Sequence, residues 1–516
     1  MPRQRPTTRV RATRLAVAVV LLLLAAPLWS ADGDPLAGLD AYVEGAMKQW
    51  GVPGFGLAVV QDDGVVLARG YGTRTLGRQE PVDEHTVFAI GSQSKAFTTA
   101  ALALLVDEGE LSWDDRVTDH LPGFQLHDPM STRELTVRDL VTHRSGLERG
   151  DMLWYLTDLS RDEIVRRVRH LEPSWSFRSR FGYQNIMFLT AGQLIPAVTR
   201  QSWDDFVEAR LFEPLGMARS STTVRALPAQ DNVATPHELI DGVVVPVPWK
   251  NIDNIAPAGS INSSAAEMAQ WVRMQLARGE LDGKRLISEQ QITEMHRPQM
   301  LLGNDPEMRF LIPEGEFASY GLGWFTYTYR GETVVEHGGA IDGMRAQVAM
   351  IPARKIGVVM LANLGGSTFT EAMRYRLFDA LLGEPEKDWS SELHQTFQGL
   401  LAQQAEAETK SREARVADTS PSRPAAGYAG VYVHEMLGEL TVTEAGGELR
   451  LDYGIAPQAR LEHWHFDVFR AADWPRAPST LFVIFHMDAD AKIDEVEVQG
   501  LGSFARKPEP PAEPEA

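Results

Sequence analysis

A serine and a lysine three positions apart, Ser92 and Lys95, are the residues of this sequence best suited to chemistry. They open an apolar run over residues 96–106, which predicts a helix buried on every side. Positions i and i+3 are neighbours on a helix, so the hydroxyl and the amine would lie side by side. Burial lowers the pKa of a lysine, and a neutral amine can accept a serine proton. The pair therefore predicts an activated serine nucleophile, although this spacing also occurs by chance.

Tyr183 and Asn185 form a second pattern, a phenol and a carboxamide two positions apart. A tyrosine whose pKa is lowered by a nearby lysine can serve as a general base. The asparagine can hydrogen-bond both that lysine and a substrate. In the alternative interpretation, Tyr183 is a half-buried aromatic residue and Asn185 caps the helix that follows.

The third pattern is His337-Gly338-Gly339-Ala340, predicted at the end of a strand. Two glycines there would let a substrate lie close to the strand edge. The N–H groups of Ala340 and Ser92 could then form an oxyanion hole. In the alternative interpretation this is a plain turn, with His337 at the surface.

Together the three patterns resemble the serine β-lactamase and penicillin-binding enzyme superfamily, most closely its branch of class C β-lactamases, D-aminopeptidases and esterases. Ser92 and Lys95 match the family's Ser-x-x-Lys, and Tyr183 and Asn185 its Tyr-x-Asn. The resemblance covers about residues 36–382. It implies that Ser92 attacks a carbonyl, that Lys95 and Tyr183 move protons, and that water hydrolyses the acyl-enzyme. It implies no cofactor and no metal. Residues 142–147 and 257–259 also resemble family segments and are interpreted as structural or pocket-lining.

His337 departs from the family pattern, since the strand motif of a β-lactamase or carboxypeptidase usually begins with a lysine that helps hold the substrate carboxylate. A histidine with a pKa near 6.5 is mostly neutral at pH 7. We therefore expect weaker carboxylate binding at His337, Gly338 and Gly339. A His-Gly-Gly sequence at this place is more similar to the D-aminopeptidase and esterase members of the family.

Composition narrows the class of protein. The sequence has no cysteine, which excludes disulfides, a thiol nucleophile and a cysteine metal site. Five arginines precede an uncharged run over residues 15–31, which is typical of a secretory signal peptide; an uncleaved anchor is the less favoured alternative. The formal net charge is −20 and argues against nucleic-acid binding. We expect no stable membrane span once the signal is removed.

The order of the predicted elements indicates an α+β fold, a β-lactamase-like antiparallel sheet flanked by helices, with a helical subdomain. A helix (35–50) and a hairpin (54–60 and 65–71) precede the Ser92 helix. Strands at 322–329, 333–337, 344–351 and 356–362 and a helix at 369–382 follow the helical region. One sheet would then take strands from both ends of the domain. Residues 264–267 show a capping-box pattern before another helix.

A second domain is predicted after the sheet. Seven short strand-like runs favour a small all-β barrel, and this part resembles the lipocalin-like barrels appended to some of these hydrolases. The predicted divisions are a signal peptide (1–31), the hydrolase domain (32–385), a helical linker (386–424), the barrel (425–507) and a disordered tail (508–516).

The sequence therefore predicts an exported, periplasmic or secreted serine hydrolase that cleaves amide or ester bonds, including those of peptides with D-residues. One alternative is a β-lactamase or DD-peptidase acting on β-lactams or peptidoglycan peptides. Another is a non-catalytic, penicillin-binding-like sensor module. A further alternative is that the barrel covers the catalytic cleft and restricts it to small substrates.

Overall fold

A computed structural model describes residues 34–303, 312, 316–474 and 481–508 of the chain. The predicted signal peptide (1–31) lies outside the described residues, as does the predicted tail beyond residue 508. Within the described ranges, no helix is both long enough and apolar enough to cross a membrane.

An eight-stranded antiparallel sheet is the frame of the first domain, and it confirms the predicted α+β class. The strand Gly64–Gly72 lies at one edge of the sheet. Its hairpin partner, Gly54–Gln61, pairs on the other side with Ile356–Ala362, the last strand of the domain. The sheet thus joins both ends of the domain, as predicted. Across the sheet the order is β2-β1-β8-β7-β6-β5-β4-β3. The strands are β1 (Gly54–Gln61), β2 (Gly64–Gly72), β3 (Met300–Leu301), β4 (Glu316–Tyr320), β5 (Phe325–Tyr329), β6 (Glu332–Ile341), β7 (Met344–Ile351) and β8 (Ile356–Ala362).

Helices cover both faces of this sheet and fill the insert between β2 and β3. The longer ones are α1 (Leu39–Trp50), α2 (Ser94–Asp107), α3 (Asn185–Thr199), α4 (Ala265–Leu276), α5 (Phe369–Leu382) and α6 (Trp389–Glu413). Shorter α-helices include Val117–His120, Pro129–Glu134, Val137–Leu140, Arg161–Arg167, Trp203–Val207, Ala256–Gly259 and Glu289–His296.

Strand β1 is apolar almost throughout because both of its faces are buried. Leu57 belongs to the core shared with α1 and α5, whereas Ala58 belongs to the core shared with α2 and α4. Successive strand residues point to opposite faces, so a sheet covered on both sides needs an uninterrupted apolar run. Helix α2 is the centre of the second core, where Phe97 stacks on Trp271 of α4 at 4.0 Å between ring centroids.

Several predicted boundaries in the first domain were wrong. The first helix begins at Leu39, not at residue 35. The strand predicted from residue 322 begins at Phe325, because Gly323 has a φ of +79° and belongs to a turn. Strands β3 and β4 were not predicted, since a two-residue strand and its short neighbour show no clear alternation. The predicted capping box is half formed. The Ser264 hydroxyl accepts from the Glu267 N–H, but the Glu267 carboxylate accepts from Ser220 instead.

The second domain is a closed eight-stranded barrel, which confirms the predicted all-β class. Its first and last strands pair through Tyr432 and Arg506 and so close it. The sequence predicted seven strands and missed the eighth, where Phe504 is the only large apolar residue. The strands are β9 (Gly430–His434), β10 (Gly438–Ala445), β11 (Glu448–Tyr453), β12 (Ala459–His465), β13 (Val468–Ala472), β14 (Leu481–Met487), β15 (Ile493–Val498) and β16 (Gly502–Arg506).

Candidate active site

Ser92 lies in a short 3-10 turn, Gly91–Gln93, that leads into α2, and Lys95 is the second residue of that helix. The lysine Nζ lies 3.1 Å from the serine Oγ and 2.8 Å from the Ala258 carbonyl oxygen. The sequence placed Ser92 at the N-terminal end of the helix, and in the structure it lies in the turn directly before that end, where its side chain still meets Lys95. Ser94, the other serine of the motif, donates to the Gly91 carbonyl and holds the turn.

The Lys95 amine is poised to accept a proton because it is completely buried. Burial holds its pKa well below the usual value, and the positive charge of Arg149 lowers this pKa further. The carboxylate of Asp151 acts in the opposite direction. Ser92 itself is partly exposed, so a substrate can reach the hydroxyl while the amine stays out of water.

Tyr183 is half-buried beside the amine, with its ring centroid 4.8 Å from the Lys95 Nζ. On its other side the ring packs against His143, at 4.2 Å between centroids. The structure therefore brings together the phenol and the amine that the sequence predicted to share a proton. The phenol ring thus contacts both the Lys95 amine and the His143 imidazole.

Asn185 does not cap the helix that follows it. The cap is Gln184, whose side-chain oxygen accepts from the Ile186 N–H at 2.8 Å. Asn185 instead donates its amide to the Asp151 carboxylate at 2.9 Å. Asn185 is the first residue of α3 and lines the same cavity as Ser92, and the partner seen for its carboxamide is an aspartate that the sequence did not indicate.

His143 and Gln184 hold the tyrosine motif in place. The Gln184 N–H donates to the His143 Nδ1 at 2.9 Å, and burial lowers the pKa of His143 well below its usual value. The ring is therefore neutral, with its proton on Nε2. The sequence treated residues 142–147 as structural or pocket-lining, and His143 fills such a place directly behind Tyr183.

His337 is buried within β6 and is not a surface residue of a turn. Its Nε2 accepts from the Tyr320 hydroxyl at 2.9 Å, and its Nδ1 donates to the Gly338 carbonyl at 2.6 Å. Burial, together with the charge of Lys95, lowers the pKa of His337 to about 3. The imidazole is therefore neutral at pH 7, as the sequence predicted, and it lines the cavity on the Tyr183 side with little of its surface exposed.

The two glycines after His337 have different surroundings. A Cβ on Gly339 would lie 1.9 Å from the Ile90 carbonyl oxygen and 3.1 Å from the Ser92 nitrogen. A Cβ on Gly338 would have the Ala346 carbonyl, at 3.9 Å, as its nearest contact among the described residues. The sequence assigned both glycines to substrate approach. Gly339 instead lets the strand pack against the turn that carries the nucleophile, while Gly338 remains open to the cleft.

The same close approach brings the two candidate oxyanion donors onto adjacent backbone segments. A Cβ on Gly91 would lie 2.7 Å from the Ala340 nitrogen, and Gly91 has a φ of +53°. Ser92 and Ala340 both line the cleft. The two candidate donors therefore lie on neighbouring segments of the same cleft, the turn before α2 and the end of β6.

Arg149 and Asp151 are the residues of the site that sequence reasoning missed. Arg149 donates to Asp151 at 2.7 Å, and its guanidinium lies 5.0 Å from the Tyr183 ring centroid. Both residues shift the pKa of Lys95. Their only sequence signal is a polar loop directly after the 142–147 segment, which does not differ from a solvated turn.

Two cavities meet at Ser92. The first, of about 430 Å³, lies on the side of Asp151 and Asn185 and also reaches residues of the barrel. The second, of about 300 Å³, lies on the side of Tyr183 and the β6 glycines. A substrate carbonyl at Ser92 would therefore place one of its substituents in each cavity.

A sequence profile of the Beta-lactamase family matches residues 39–382, and a profile of a domain of unknown function (DUF3471) matches residues 414–513. The unguisins hydrolase ungD of Aspergillus violaceofuscus (strain CBS 115571) is 30% identical over 488 residues, 85% of this chain and 83% of that protein. Penicillin-binding protein 4 of Amycolatopsis lactamdurans is 32% identical over 349 residues, 64% of this chain and 86% of that protein. The solved octameric penicillin-binding protein homologue from Pyrococcus abyssi has a TM-score of 0.62 at 22% identity, covering 91% of this chain and 100% of that one.

Proposed function

Because the chain belongs to the Beta-lactamase family, we propose that it is a serine hydrolase that cleaves amide or ester bonds through an acyl-Ser92 intermediate. The observation that carries the proposal is the 3.1 Å contact between the Ser92 hydroxyl and the buried Lys95 amine. A relative named a hydrolase, 30% identical over most of both chains, supports the reaction class. Peptides, including those with D-residues, are the proposed substrates.

Acylation begins when the Ser92 hydroxyl attacks the substrate carbonyl carbon. Its proton passes to the Lys95–Tyr183 pair, in which the amine lies 4.8 Å from the centroid of the phenol ring. The carbonyl oxygen becomes an oxyanion that accepts from the N–H groups of Ser92 and Ala340. The bond to the leaving group then breaks, and the pair returns the proton to the departing nitrogen or oxygen.

Deacylation repeats these steps with water as the nucleophile. The Lys95–Tyr183 pair takes a proton from the water, whose oxygen bonds to the acyl carbon. The bond from that carbon to the Ser92 oxygen then breaks, and Ser92 recovers its proton. Every step uses groups of the chain and water alone.

A β-lactamase or DD-peptidase is the second candidate, and one observation favours it. His337 offers no positive charge for a carboxylate, but Arg149, Arg180 and Arg345 line the cavity on that side. Arg345 is paired with Glu371 at 3.0 Å, and Arg180 packs on Trp175 at 4.5 Å. An arginine from another element can therefore take the place of the strand lysine.

The deciding experiment uses residues 32–516 and measures initial rates on D-alanine p-nitroanilide, a p-nitrophenyl ester and a chromogenic cephalosporin. Ser92→Ala is the blank, and we expect it to lose at least nine-tenths of every rate while the fold is kept. Faster turnover of the anilide or the ester supports the proposal. A dominant cephalosporin rate favours the second candidate, and a Ser92→Ala rate above about a tenth of the parent rejects the mechanism.

Export is a further part of the proposal, and it is supported by the arginine-rich start and the uncharged run over residues 15–31. We expect residues 1–31 to direct a fused reporter out of the cytoplasm of a Gram-negative host. Replacing the five arginines with serine should retain the reporter inside. A reporter that stays cytoplasmic with the intact segment would contradict export.

A further inference from the structure

The barrel forms part of the wall of the 430 Å³ cavity beside Ser92. Trp474, Leu481 and Leu501 line this cavity together with Ser92 itself. Leu481 begins β14, and Leu501 lies in the turn between β15 and β16. The first domain supplies the nucleophile and part of the wall, and the second domain supplies the remainder.

Two hydrogen bonds to backbone carbonyls of the first domain hold the barrel in position beside this cavity. The Ile455 N–H donates to the Leu156 carbonyl at 2.8 Å, and the Tyr453 hydroxyl donates to the Met152 carbonyl at 3.2 Å. Between them, a Cβ on Gly454 would lie 1.9 Å from the Leu156 carbonyl oxygen. Met152 and Leu156 also line the cavity. The barrel is therefore docked on the very segment of the first domain that forms the cavity wall.

The wall that the first domain contributes is largely apolar. Trp154, Leu156, Ile252 and Ile255 line it, and each is less than 10% exposed. The polar residues Asp151 and Asn185 also line it and lie near Lys95 and Ser92. Cavities of this volume with apolar walls and a few polar groups typically bind an apolar part of a ligand and fix its orientation by the polar groups.

The position of Tyr183 indicates which part of the substrate enters this cavity. A group that protonates a leaving group must lie on the leaving-group side of the carbonyl. Tyr183 lines the second cavity, beside Gly338. The acyl part of the substrate must then extend to the other side of Ser92, toward the barrel.

We propose that the barrel completes a subsite for the acyl group, and that the enzyme prefers amides and esters whose acyl part carries a bulky aromatic or branched apolar group. Trp474 and Leu501 are then specificity-determining residues that contact this group but not the reacting atoms. The inference rests on the proposed acyl-Ser92 chemistry. In it the barrel contributes favourable contacts, and does not merely exclude large substrates.

The test uses the full chain and two p-nitrophenyl esters with the same leaving group, the acetate and the 4-phenylbutyrate. We expect a higher kcat/KM for the phenylbutyrate. Trp474→Ala and Leu501→Ala should each lower it by about tenfold or more, because deleting even one methylene contact in an apolar pocket costs at least about tenfold. The kcat/KM for the acetate should stay within about threefold. Phe466→Ala, a barrel residue that is 54% exposed, is the matched control and should change neither value.

The retained acetate activity shows that each variant is folded. If Trp474→Ala does not fold, Leu501→Ala and the cavity-filling Leu501→Trp carry the test, since Leu501 lies in a half-exposed turn. Leu501→Trp should also lower the phenylbutyrate rate selectively. An unchanged ratio of the two esters in the Leu501 variants overturns the subsite while leaving the proposed function intact. If neither ester is turned over faster than by Ser92→Ala, the proposed function and the subsite fall together.

Discussion

The amine of Lys95 lies 3.1 Å from the hydroxyl of Ser92, and it is fully buried. Burial is unfavourable for a lysine because its charged form loses hydration. The second contact of the amine is a backbone carbonyl, that of Ala258. A buried lysine in such surroundings costs stability, and it lies where the proposed mechanism needs a base for Ser92. The chemistry and the stability of this domain are therefore opposed at one side chain.

Replacing Lys95 with methionine should abolish turnover and stabilise the fold. The loss of a proton acceptor typically costs about 10²–10⁴ in kcat. Because the pKa of Lys95 is lowered in the folded state, below pH 10 the unfolded chain holds a proton that the folded amine releases. Folding is thus opposed there, and we expect Lys95→Met to gain about 1–2 kcal/mol at pH 7, measured by urea unfolding. A destabilised Lys95→Met variant would contradict this account.

Tyr183→Phe should lower kcat by about 10²–10⁴ if the phenol moves the proton with Lys95. The ring contacts with Lys95 and His143 would remain, so the thermal midpoint should change little. Tyr432→Phe removes a hydroxyl from the barrel, where it donates to the Tyr428 carbonyl, and serves as the matched control. Equal kcat values for the two variants would remove Tyr183 from the proton path.

Two opposite shifts of the pH–rate profile should follow from the charges beside Lys95. Asp151→Asn removes the carboxylate that raises the pKa of Lys95, so the acid limb of kcat/KM should move to lower pH. Arg149→Met removes the guanidinium that lowers this pKa, so the limb should move to higher pH. Profiles measured in both variants from pH 4 to 9 are each other's control. Shifts in the same direction would show that Lys95 is not the titrating base.

Gly339→Ala should lower stability and kcat, whereas Gly338→Ala should leave stability unchanged, although the two residues are adjacent. The new Cβ at residue 339 would meet the Ile90 carbonyl oxygen and push β6 away from the Ser92 turn. We expect a loss of about 1–3 kcal/mol in stability and, with one oxyanion donor displaced, about 10²–10³ in kcat. Gly338→Ala should keep the parent unfolding midpoint. Similar midpoints in both variants would mean that the strand and the turn are not in contact.

His337→Gln should alter how stability depends on pH. Below about pH 6.5 an unfolded histidine takes up a proton, whereas the folded His337, with a pKa of about 3, does not. The parent should therefore lose up to about 2 kcal/mol between pH 6.5 and pH 5 through this residue. The variant lacks that loss, so its stability relative to the parent should rise on acidification. Thermal midpoints at pH 7 and pH 5 test this, and a constant difference would contradict it.

The sheet and the reactive pair were predictable because their signals are local. The apolar run after Lys95 marks a buried helix, and the three-residue spacing brings its amine to Ser92 whatever surrounds them. The apolar strands near residues 54–60 and 344–362 likewise carry their own periodicity. Strands β16, β3 and β4 carry no such periodicity. Each of them is a strand because a neighbouring strand pairs with it.

The residues that were misread are those whose role depends on a distant partner. Nothing in the sequence separates Gly338 from Gly339, because only the carbonyl of Ile90 makes one of them indispensable. Gln184 carries no signal of its own in the sequence, yet it caps α3 and donates its backbone N–H to the Nδ1 of His143. Nothing in the sequence distinguishes Asp151 from an ordinary loop residue. Only its hydrogen bonds with Asn185 and Arg149 identify it as part of the site.

The sequence by itself determined which residues could carry out the proposed chemistry, since a serine, a lysine and their spacing are properties of a short segment. The tertiary structure decided the environment of that chemistry. It buried Lys95 and His337, and it brought Trp474 and Leu501 of the barrel to a cavity that begins at Ser92. Burial and long-range contact arise from packing between elements hundreds of residues apart, and no local pattern records them.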